Sequence, residues 1–500
     1  MERIRPDHPH AVHGLAATRT LEQAAAKDLP EHTLMQRAGL ATARLALALA
    51  PHARTVWIVC GPGNNGGDGL EAALHLQQPQ RQVVVTWLGD AAKVPADAQR
   101  SLARARSAGV HFADSPPVLG AHDLCIDALL GIGLAPGGAA RPPPGHWRAL
   151  LRTLRTGPAT LLCLDLPSGL EADTGAWAAG FEPEDLARAS CHTLSLLTLK
   201  PGLFTASGRD ASGTVWLDRL GALATPATAS AWLAGPPPAR VLPHASHKGS
   251  FGDVAVIGGE GLGRRGMGME GAALLAASAA LHAGAGRVLV ALLDDDDLRV
   301  AAVLPELMQR RFDALALEQL TVVCGCGGGD AVADVLERVL EASARLVLDA
   351  DALNALARAP ELRAALAARV ARGAATVLTP HPQEAARLLG RSTGAVQADR
   401  LAAARALTER FGCVCVLKGS GSVVAAPGQA LPWINPTGNA RLATAGTGDV
   451  LAGMLGARLA AGEDPWDAAR HAVYAHGRRA DAWPADEPLT AGALARGGNF

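Results

Sequence analysis

The sequence predicts an α/β protein with two domains, each built on a mostly parallel sheet that is covered by helices. Its 500 residues are too many for one ordinary hydrophobic core. Short apolar runs alternate with helical patterns in both halves, which is typical of buried parallel strands. A Pro/Gly-rich segment at 235–238 follows an Ala/Thr-rich stretch and predicts a linker. We therefore expect domains at residues 1–225 and 240–500, joined by a linker at 226–239.

The individual elements follow from these patterns. Apolar runs predict first-domain strands at 55–60, 82–88, 123–126, 160–164, 192–196 and 214–217. Helical periodicity predicts helices at 34–50, 70–77, 97–108 and 146–154. In the second domain we expect strands at 253–257, 287–292, 321–324, 345–348, 375–378 and 413–417, and a long helix that begins near Asp449. Ligands of such sheets bind beyond the carboxyl ends of the strands.

Composition excludes several classes of protein. About half of the residues are apolar (49%) and 19% are charged, which excludes a disordered chain. The formal net charge is −1, so no global field attracts nucleic acid or an anionic membrane. No apolar run typical of a secretory signal follows Met1, and we expect a cytoplasmic protein. The C-x-C pairs Cys324/Cys326 and Cys413/Cys415 are interpreted as buried hydrophobes on strands, because zinc sites prefer wider spacings in loops.

Three strand ends of the first domain carry polar motifs. The strand at 55–60 runs into Gly61-Pro62-Gly63-Asn64-Asn65-Gly66-Gly67-Asp68-Gly69, where successive glycines bring backbone N–H groups toward a phosphate. Asp127 leads into Gly131-Ile132-Gly133, and Asp165 opens Asp165-Leu166-Pro167-Ser168-Gly169. Either aspartate alone is more typical of a cap or a turn. Together, the carboxylate, amide and hydroxyl oxygens predict a site for a hard cation.

The second domain carries a motif suited to phosphoryl transfer. In Gly446-Thr447-Gly448-Asp449, backbone N–H groups can gather the charge of a transferring phosphoryl group. Asp449 can accept the proton of an attacking hydroxyl. The alternative is that Asp449 is an ordinary helix N-cap.

The first-domain motifs, with Met35-Gln36-Arg37-Ala38-Gly39 upstream, resemble the NAD(P)H-hydrate epimerase family over roughly residues 15–220. The resemblance implies a Rossmann-like α/β/α sandwich and a catalytic Asp165. It implies that K⁺ is held by Asn65, Asp127 and Ser168. The implied substrate contacts are Asn64, Asn65, Gly66, Gly67, Asp68, Gly131, Ile132, Gly133, Leu134, Ala135, Pro136, Gly137 and Asp165. Lys200 matches a recurrent family position, either as a group that orients substrate or moves a proton, or as a solvated lysine before a turn.

The segments at 247–252, 348–354, 378–384, 417–422 and 446–449 together resemble the ribokinase-like NAD(P)H-hydrate dehydratase family, over roughly residues 240–500. The resemblance implies that Asp449 is catalytic and that ADP, with Mg²⁺, is the phosphoryl donor. The implied substrate contacts are Ala272, Gly327, His381 and Asp449. The implied nucleotide contacts are Lys418, Gly419, Ser420, Gly421, Ser422 and Gly448. Cys324-Gly325-Cys326-Gly327-Gly328-Gly329 stands where relatives usually have Gly-Pro-Gly-Leu-Gly, and His381 alone would more often be structural.

Together the two resemblances imply a bifunctional isomerase and lyase that repairs hydrated NADH and NADPH. It would interconvert the R and S epimers of each hydrate, NADHX and NADPHX. It would then dehydrate the S epimer by nucleotide-dependent phosphorylation and phosphate elimination. Self-association into a homo-oligomer is left open. One rival is a small-alcohol kinase with an accessory domain, which would leave a stable phosphorylated product. Another is a non-catalytic N-terminal binding module, which would not need Asn65, Asp127, Asp165 and Ser168.

Overall fold

A computed structural model describes residues 1–90, 92–133, 143–184, 190–223, 226–239, 243–293 and 304–497. The chain divides into two compact units. The first comprises Met1–Arg5 and Ala11–Ala231, and the second comprises Pro6–His10 and Trp232–Phe500. The division falls inside the expected linker at 226–239, and Ala231–Leu233 of that segment form a strand. Four residues of the predicted substrate loop, Leu134, Ala135, Pro136 and Gly137, lie outside the described residues.

The secondary structure alternates between strands and helices throughout. Up to Ala231 the strands are β1 (Glu2–Arg3), β2 (His10–Val12), β3 (Thr55–Cys60), β4 (Gln82–Trp87), β5 (His111–Phe112), β6 (Leu124–Ala128), β7 (Thr160–Leu164), β8 (Cys191–Leu196) and β9 (Thr214–Asp218). The helices there are α1 (Leu15–Lys27), α2 (Thr33–Leu49), α3 (Asn64–Leu76), α4 (Ala96–Ser107), α5 (Gly145–Thr156) and α6 (Gly208–Ser212).

The remaining strands are β10 (Ala231–Leu233), β11 (Asp253–Glu260), β12 (Arg287–Leu293), β13 (Met308–Gln309), β14 (Thr321–Cys324), β15 (Arg345–Leu348), β16 (Thr376–Leu378), β17 (Val414–Leu417), β18 (Val423–Ala425) and β19 (Trp433–Ile434). The helices there are α7 (Leu262–Arg265), α8 (Glu270–His282), α9 (Ala333–Ala342), α10 (Ala350–Arg358), α11 (Pro360–Ala371), α12 (Pro382–Leu389), α13 (Thr393–Ala398), α14 (Arg400–Phe411), α15 (Thr447–Ala460), α16 (Pro465–Asp481) and α17 (Ala491–Arg496).

The first unit contains one sheet in the order β1-β9-β8-β7-β6-β3-β4-β5. All neighbours are parallel except β1, which runs antiparallel to β9. Alternate side chains of β3 enter two cores. Val56 and Ile58 pack with residues of α2 and α3, whereas Trp57 and Val59 pack with residues of α5. This double-sided burial explains why β3 is an almost continuous apolar run.

The second unit contains a sheet that runs β13-β12-β11-β14-β15-β16-β17-β18-β19-β10. It is parallel from β13 to β17, and β18 runs antiparallel to both of its neighbours. Helices α8, α15 and α16 contribute to one hydrophobic core with Val254 and Val256 of β11. Gly453 lets α15 approach α8, because a Cβ there would lie 2.0 Å from the carbonyl oxygen of Ala276.

The predicted α/β class with two parallel-sheet units is confirmed, and the predicted strands agree within a few residues. The predicted start of α3 is wrong: the helix begins at Asn64 rather than at residue 70, so the glycine motif forms its first turns. Close packing outweighs the low helix propensity of glycine here, because a Cβ at Gly66 would lie 1.9 Å from the carbonyl oxygen of Gly61. In the described part of the chain, no helix is long and apolar enough to cross a membrane.

Candidate functional sites

In the first unit, Asp127 and Ser168 form one buried cluster at the carboxyl end of the sheet. The Ser168 hydroxyl donates to Asp127 Oδ1 at 2.5 Å, and the Ser168 backbone N–H donates to Oδ2 at 3.0 Å. The backbone N–H of Leu130 donates to Ser168 Oγ at 2.8 Å. Burial raises the pKa of Asp127, while the Ser168 hydrogen bonds oppose that rise. A cation nearby would favour the charged form of this carboxylate.

Asn65 supplies the observation that points to a ligand. Its side chain is buried in the first turn of α3, and neither its amide oxygen nor its amide nitrogen has a hydrogen-bond partner among the described residues. A Cβ placed on Gly131, in the turn after β6, would lie 3.3 Å from Asn65 Oδ1. Asn65 thus contacts Gly131, the residue after Leu130, whose N–H donates to Ser168. An unsatisfied buried polar group costs about 1–3 kcal/mol. Amide, carboxylate and hydroxyl oxygens are the ligands of a hard cation.

Asp165 forms a buried ion pair with Lys200. Asp165 has left-handed backbone geometry, with φ at 62°, and the Lys200 side chain is fully buried. Lys200 Nζ donates to Asp165 Oδ1 and to the carbonyl oxygens of Leu196 at 2.7 Å and Thr198 at 3.1 Å. The alternative of a solvated lysine is therefore wrong, because the turn after β8 encloses the ammonium group. The sequence does not reveal this enclosure.

The other described residues of the predicted substrate surface in the first unit lie at the start of α3 and in the turn after β6. Asn64 is exposed at the start of α3, and Asp68 is half-buried one turn later. Burial raises the pKa of Asp68 well above its usual range, and the charges of Asp165 and Glu22 raise it further. Glu22, on α1, is a neighbour that sequence reasoning missed because no motif marks it. Gly131, Ile132 and Gly133 form a partly exposed turn after β6.

In the second unit, Asp449 lies in the first turn of α15. The N-cap of that helix is Gly446, whose φ of +90° is left-handed. The alternative that Asp449 is an N-cap is therefore wrong, and the helix begins two residues before the predicted start. Burial raises the pKa of Asp449 to about 7, with the negative charge of Asp349 adding to the rise. Lys418 and a hydrogen bond with Cys326 oppose it.

Asp349 joins Asp449 to the predicted nucleotide segment. Lys418 Nζ donates to Asp349 Oδ1 at 2.5 Å, and Thr379 Oγ1 donates to the same oxygen at 2.8 Å. A Cβ on Gly448 would lie 3.3 Å from Lys418 Nζ, so the start of α15 faces the ammonium group directly. The ends of β15, β16 and β17 thus converge on the first turn of α15. Sequence reasoning assigned no role to Asp349, whose partner Lys418 is 69 residues away.

Cys326 also belongs to this cluster. Its Sγ and one carboxylate oxygen each of Asp349 and Asp449 all lie within 4.8 Å of one another. Burial raises the pKa of the Cys326 thiol, and the Asp449 charge raises it further. The prediction that Cys326 is buried is confirmed, but the pair does not share one strand face: β14 ends at Cys324, as predicted, and Cys326 follows a glycine turn. All eight cysteines are free thiols.

The predicted nucleotide segment 418–422 follows β17 as a tight turn. Gly419, with φ at +133°, lies against Arg400, whose guanidinium nitrogens would be 3.0 Å from a Cβ at that position. Arg400 is buried and donates to the carbonyl oxygens of Leu417 at 3.2 Å and Lys418 at 3.0 Å. The Gly419 N–H donates to Ser422 Oγ at 3.2 Å, and Ser420 and Gly421 complete the turn. Arg400 therefore supports the backbone of this segment from beneath.

The remaining predicted substrate contacts form two groups. Gly327, with φ at +60°, packs on Ala272, since its Cβ position would be 2.9 Å from Ala272 Cβ. His381 is the N-cap of α12: its Nδ1 accepts from the N–H of Gln383 at 3.1 Å, and its Nε2 lies 3.1 Å from Glu384 Oε1. The His381 side chain remains 43% exposed. This capping role leaves an exposed ring edge for a ligand, and that contact stays a prediction.

Comparisons with known proteins find a matching family model for each unit. A family model described as "NAD(P)H-hydrate dehydratase" matches residues 254–495, and one described as "YjeF-related protein N-terminus" matches residues 31–202. The chain is 36% identical to the bifunctional NAD(P)H-hydrate repair enzyme Nnr of Escherichia coli, over 95% of this chain and 90% of that protein. It is 34% identical to the enzyme of the same name in Coxiella burnetii, over 93% of each.

The second half also matches a shorter protein. It is 43% identical to the ADP-dependent (S)-NAD(P)H-hydrate dehydratase of Neisseria meningitidis, over 50% of this chain and 83% of that protein. The identity to the two-domain relatives extends over nearly their whole length. The chain therefore belongs to the family of bifunctional NAD(P)H-hydrate repair enzymes.

Proposed function

We propose that the chain repairs hydrated NADH and NADPH in two reactions, one in each unit. The first unit, residues 1–225, interconverts the R and S hydrates. The second, residues 240–500, dehydrates the S hydrate with ADP as phosphoryl donor. The observation that carries the proposal is the convergence of Asp449, Lys418 and Asp349 at the first turn of α15. The name of the Neisseria meningitidis relative supports ADP as the donor.

In the dehydratase, Asp449 accepts the proton of the substrate hydroxyl as that oxygen attacks the terminal phosphorus of ADP. AMP leaves, and the N–H groups at 446–448 stabilise the charge that develops on the transferred group. Elimination of phosphate, with loss of a ring proton, then restores the double bond of the dihydronicotinamide. Phosphorylation makes the oxygen a good leaving group, which explains why kinase-like chemistry can serve a dehydration. Mg²⁺, when bound with the nucleotide, would neutralise phosphate charge.

The ion pair between Lys418 and Asp349 places a positive charge beside the same turn. Lys418 is thus suited to stabilise nucleotide phosphate oxygens, as a compact point charge. The segment Lys418, Gly419, Ser420, Gly421 and Ser422 would hold the nucleotide with Gly448. Ala272, Gly327 and His381 would contact the hydrated nicotinamide substrate.

In the epimerase, the hydrated carbon bears both a hydroxyl group and the ring nitrogen, and Asp165 is the proposed catalytic carboxylate. Lys200 holds Asp165 in place through the buried ion pair. Asn65, Asp127 and Ser168 would hold K⁺. The buried amide of Asn65, which has no hydrogen-bond partner within the described ranges, supports that assignment. The cation would supply positive charge for the substrate pyrophosphate, which the helix start at 64–68 would also bind.

The test uses a mixture of both hydrate epimers with ADP and Mg²⁺, and follows recovery of the reduced-nicotinamide absorbance. The wild-type chain should recover the whole mixture, whereas Asp165→Asn should recover only the S fraction. Asp449→Asn, the matched variant in the other unit, should recover neither fraction yet still interconvert the epimers. Complete recovery by Asp165→Asn at the wild-type rate would remove the epimerase assignment.

A further inference from the structure

Cys326, Asp349 and Asp449 bring three potential metal ligands, one thiol and two carboxylates, close together. The sulfur and the two carboxylate oxygens all lie within 4.8 Å of one another. Around a tetrahedral zinc ion, ligand atoms about 2.0–2.3 Å from the metal lie roughly 3.3–3.8 Å apart. A movement on the order of 1 Å would therefore close this set around an ion. We propose that the three residues bind a thiophilic divalent cation, Zn²⁺ or Cd²⁺, and that its binding stops the dehydratase.

The charges of the cluster balance when such an ion binds. The thiolate and the two carboxylates carry three negative charges, while the cation and the adjacent Lys418 carry three positive charges. A site this buried needs that neutrality, because an uncompensated charge away from water is costly. Binding breaks the S–H bond of Cys326 and forms a metal–sulfur bond, with the proton released to solvent. A coordinating cation deprotonates a thiol outright, even one whose pKa is raised by burial.

Backbone contacts fix the position of Cys326. The carbonyl oxygen of Cys326 accepts from the N–H of Gly259 at 3.0 Å, and Gly325, with φ at +114°, turns the chain away from β14. Cys326 itself is fully buried. Asp349 is held by Lys418 and Thr379 through Oδ1. Two of the three ligands are thus preorganised, which lowers the ordering cost of binding.

The ligand chemistry selects the ion. A thiolate favours Zn²⁺ and Cd²⁺, whereas Mg²⁺ prefers oxygen ligands and retains its water. The Mg²⁺ that accompanies a nucleotide should therefore not occupy this site. The inhibitory part of the proposal rests on the proposed function, because a coordinated Asp449 cannot accept a proton from the substrate. The epimerase lies in the other unit and should be unaffected.

The binding test uses the full-length chain without nucleotide, titrated with Cd²⁺ and followed by the ultraviolet thiolate-to-metal charge-transfer band. Wild type should show a saturable band that Mg²⁺ does not displace. Cys326→Ser should lose that band. Its affinity for Cd²⁺ should fall by more than the roughly 10–100-fold that follows loss of an outer-shell partner, because a direct ligand is removed. Cys324→Ser, the matched change on β14, should retain it. A band absent from wild type, or undiminished in Cys326→Ser, overturns the site.

The inhibition test adds Zn²⁺ at saturating Mg²⁺ and ADP, and compares each variant with its own zinc-free rate. Dehydration by wild type should fall in step with site occupancy, while epimer interconversion continues. Cys326→Ser should need a correspondingly higher Zn²⁺ concentration. Equal inhibition of both proteins overturns the inhibitory role. If the Cd²⁺ band appears but dehydration persists at full occupancy, binding stands and the assignment of Asp449 as base fails.

Discussion

Replacement of Asp449 by Asn should abolish dehydration while leaving the fold intact. Because Gly446 is the N-cap, the Asp449 side chain is not needed to cap α15, and Asn is nearly isosteric. The substitution removes the proton acceptor at the phosphoryl-transfer turn. Loss of a positioned base typically costs about 10²–10⁴ in rate. Dehydration should fall by that factor, and epimer interconversion in the same preparation should continue at the wild-type rate.

The pH dependence of the wild-type reaction tests the assignment of Asp449 as the proton acceptor. With the Asp449 pKa raised to about 7, the base is protonated below that pH and free above it. The dehydratase rate should therefore rise through pH 7 and fall about tenfold for each unit below it. Asp349→Asn removes the neighbouring negative charge that contributes to the rise, so the profile should move toward lower pH.

The assay is kcat/KM for the S hydrate from pH 5 to 9, in buffers stripped of thiophilic metals, with epimerisation measured alongside as the control. A flat profile through this range would contradict the reasoning. So would an Asp449→Asn variant that retains near wild-type dehydration. A loss of both activities together would indicate unfolding, which the circular dichroism spectrum of the variant would reveal.

Three other outcomes follow from the structure. Asp127→Ala should weaken epimerisation and blunt its dependence on K⁺, measured as rate against K⁺ concentration; an unchanged K⁺ response would refute the cation site. Lys200→Met should destabilise the first unit by about 3–5 kcal/mol in denaturant unfolding, because it leaves the buried Asp165 charge uncompensated, and Lys200→Met with Asp165→Asn should recover part of that loss. Burial lowers the pKa of His476 to about 4, whereas in the unfolded chain it is about 6.5. The unfolded state therefore gains a proton first as the pH falls, and the folding stability should decrease between pH 6.5 and pH 4. His476→Gln should flatten that part of the pH–stability curve, and an unchanged slope would contradict it.

The sequence predicts the sheets well because both faces of each parallel strand are buried. Apolar runs such as β7 and β14 end where Gly or Asp begins, so their bounds agree with the prediction at both ends. The start of α3 is not predictable from the sequence because glycine is a poor helix former; close contacts such as that of Gly66 with Gly61 account for its place in the helix. The short strands β18 and β19 were missed because two or three residues carry no detectable periodicity.

In the sites too, the residues of a contiguous motif are predictable from the sequence, whereas those that depend on distant partners are not. Asp449 and the turn before it form a contiguous motif that is visible in the sequence. Asp349 and Arg400 were not assigned roles, because their partners lie 69 and 18 residues away and the sheet alone brings them together. The glycines after Cys324 indicate a turn, but nothing near Cys326 in the sequence indicates that this turn brings its thiol to Asp349 and Asp449, which are distant along the chain.

The product balance of the second unit's reaction tests the proposed phosphorylation and elimination directly. The full-length chain is incubated with S hydrate, ADP and Mg²⁺, and AMP, inorganic phosphate and reduced nicotinamide are measured together. We expect one AMP and one phosphate for each dihydronicotinamide restored. A stable phosphorylated product without recovery of the chromophore would contradict it and would instead identify a small-alcohol kinase.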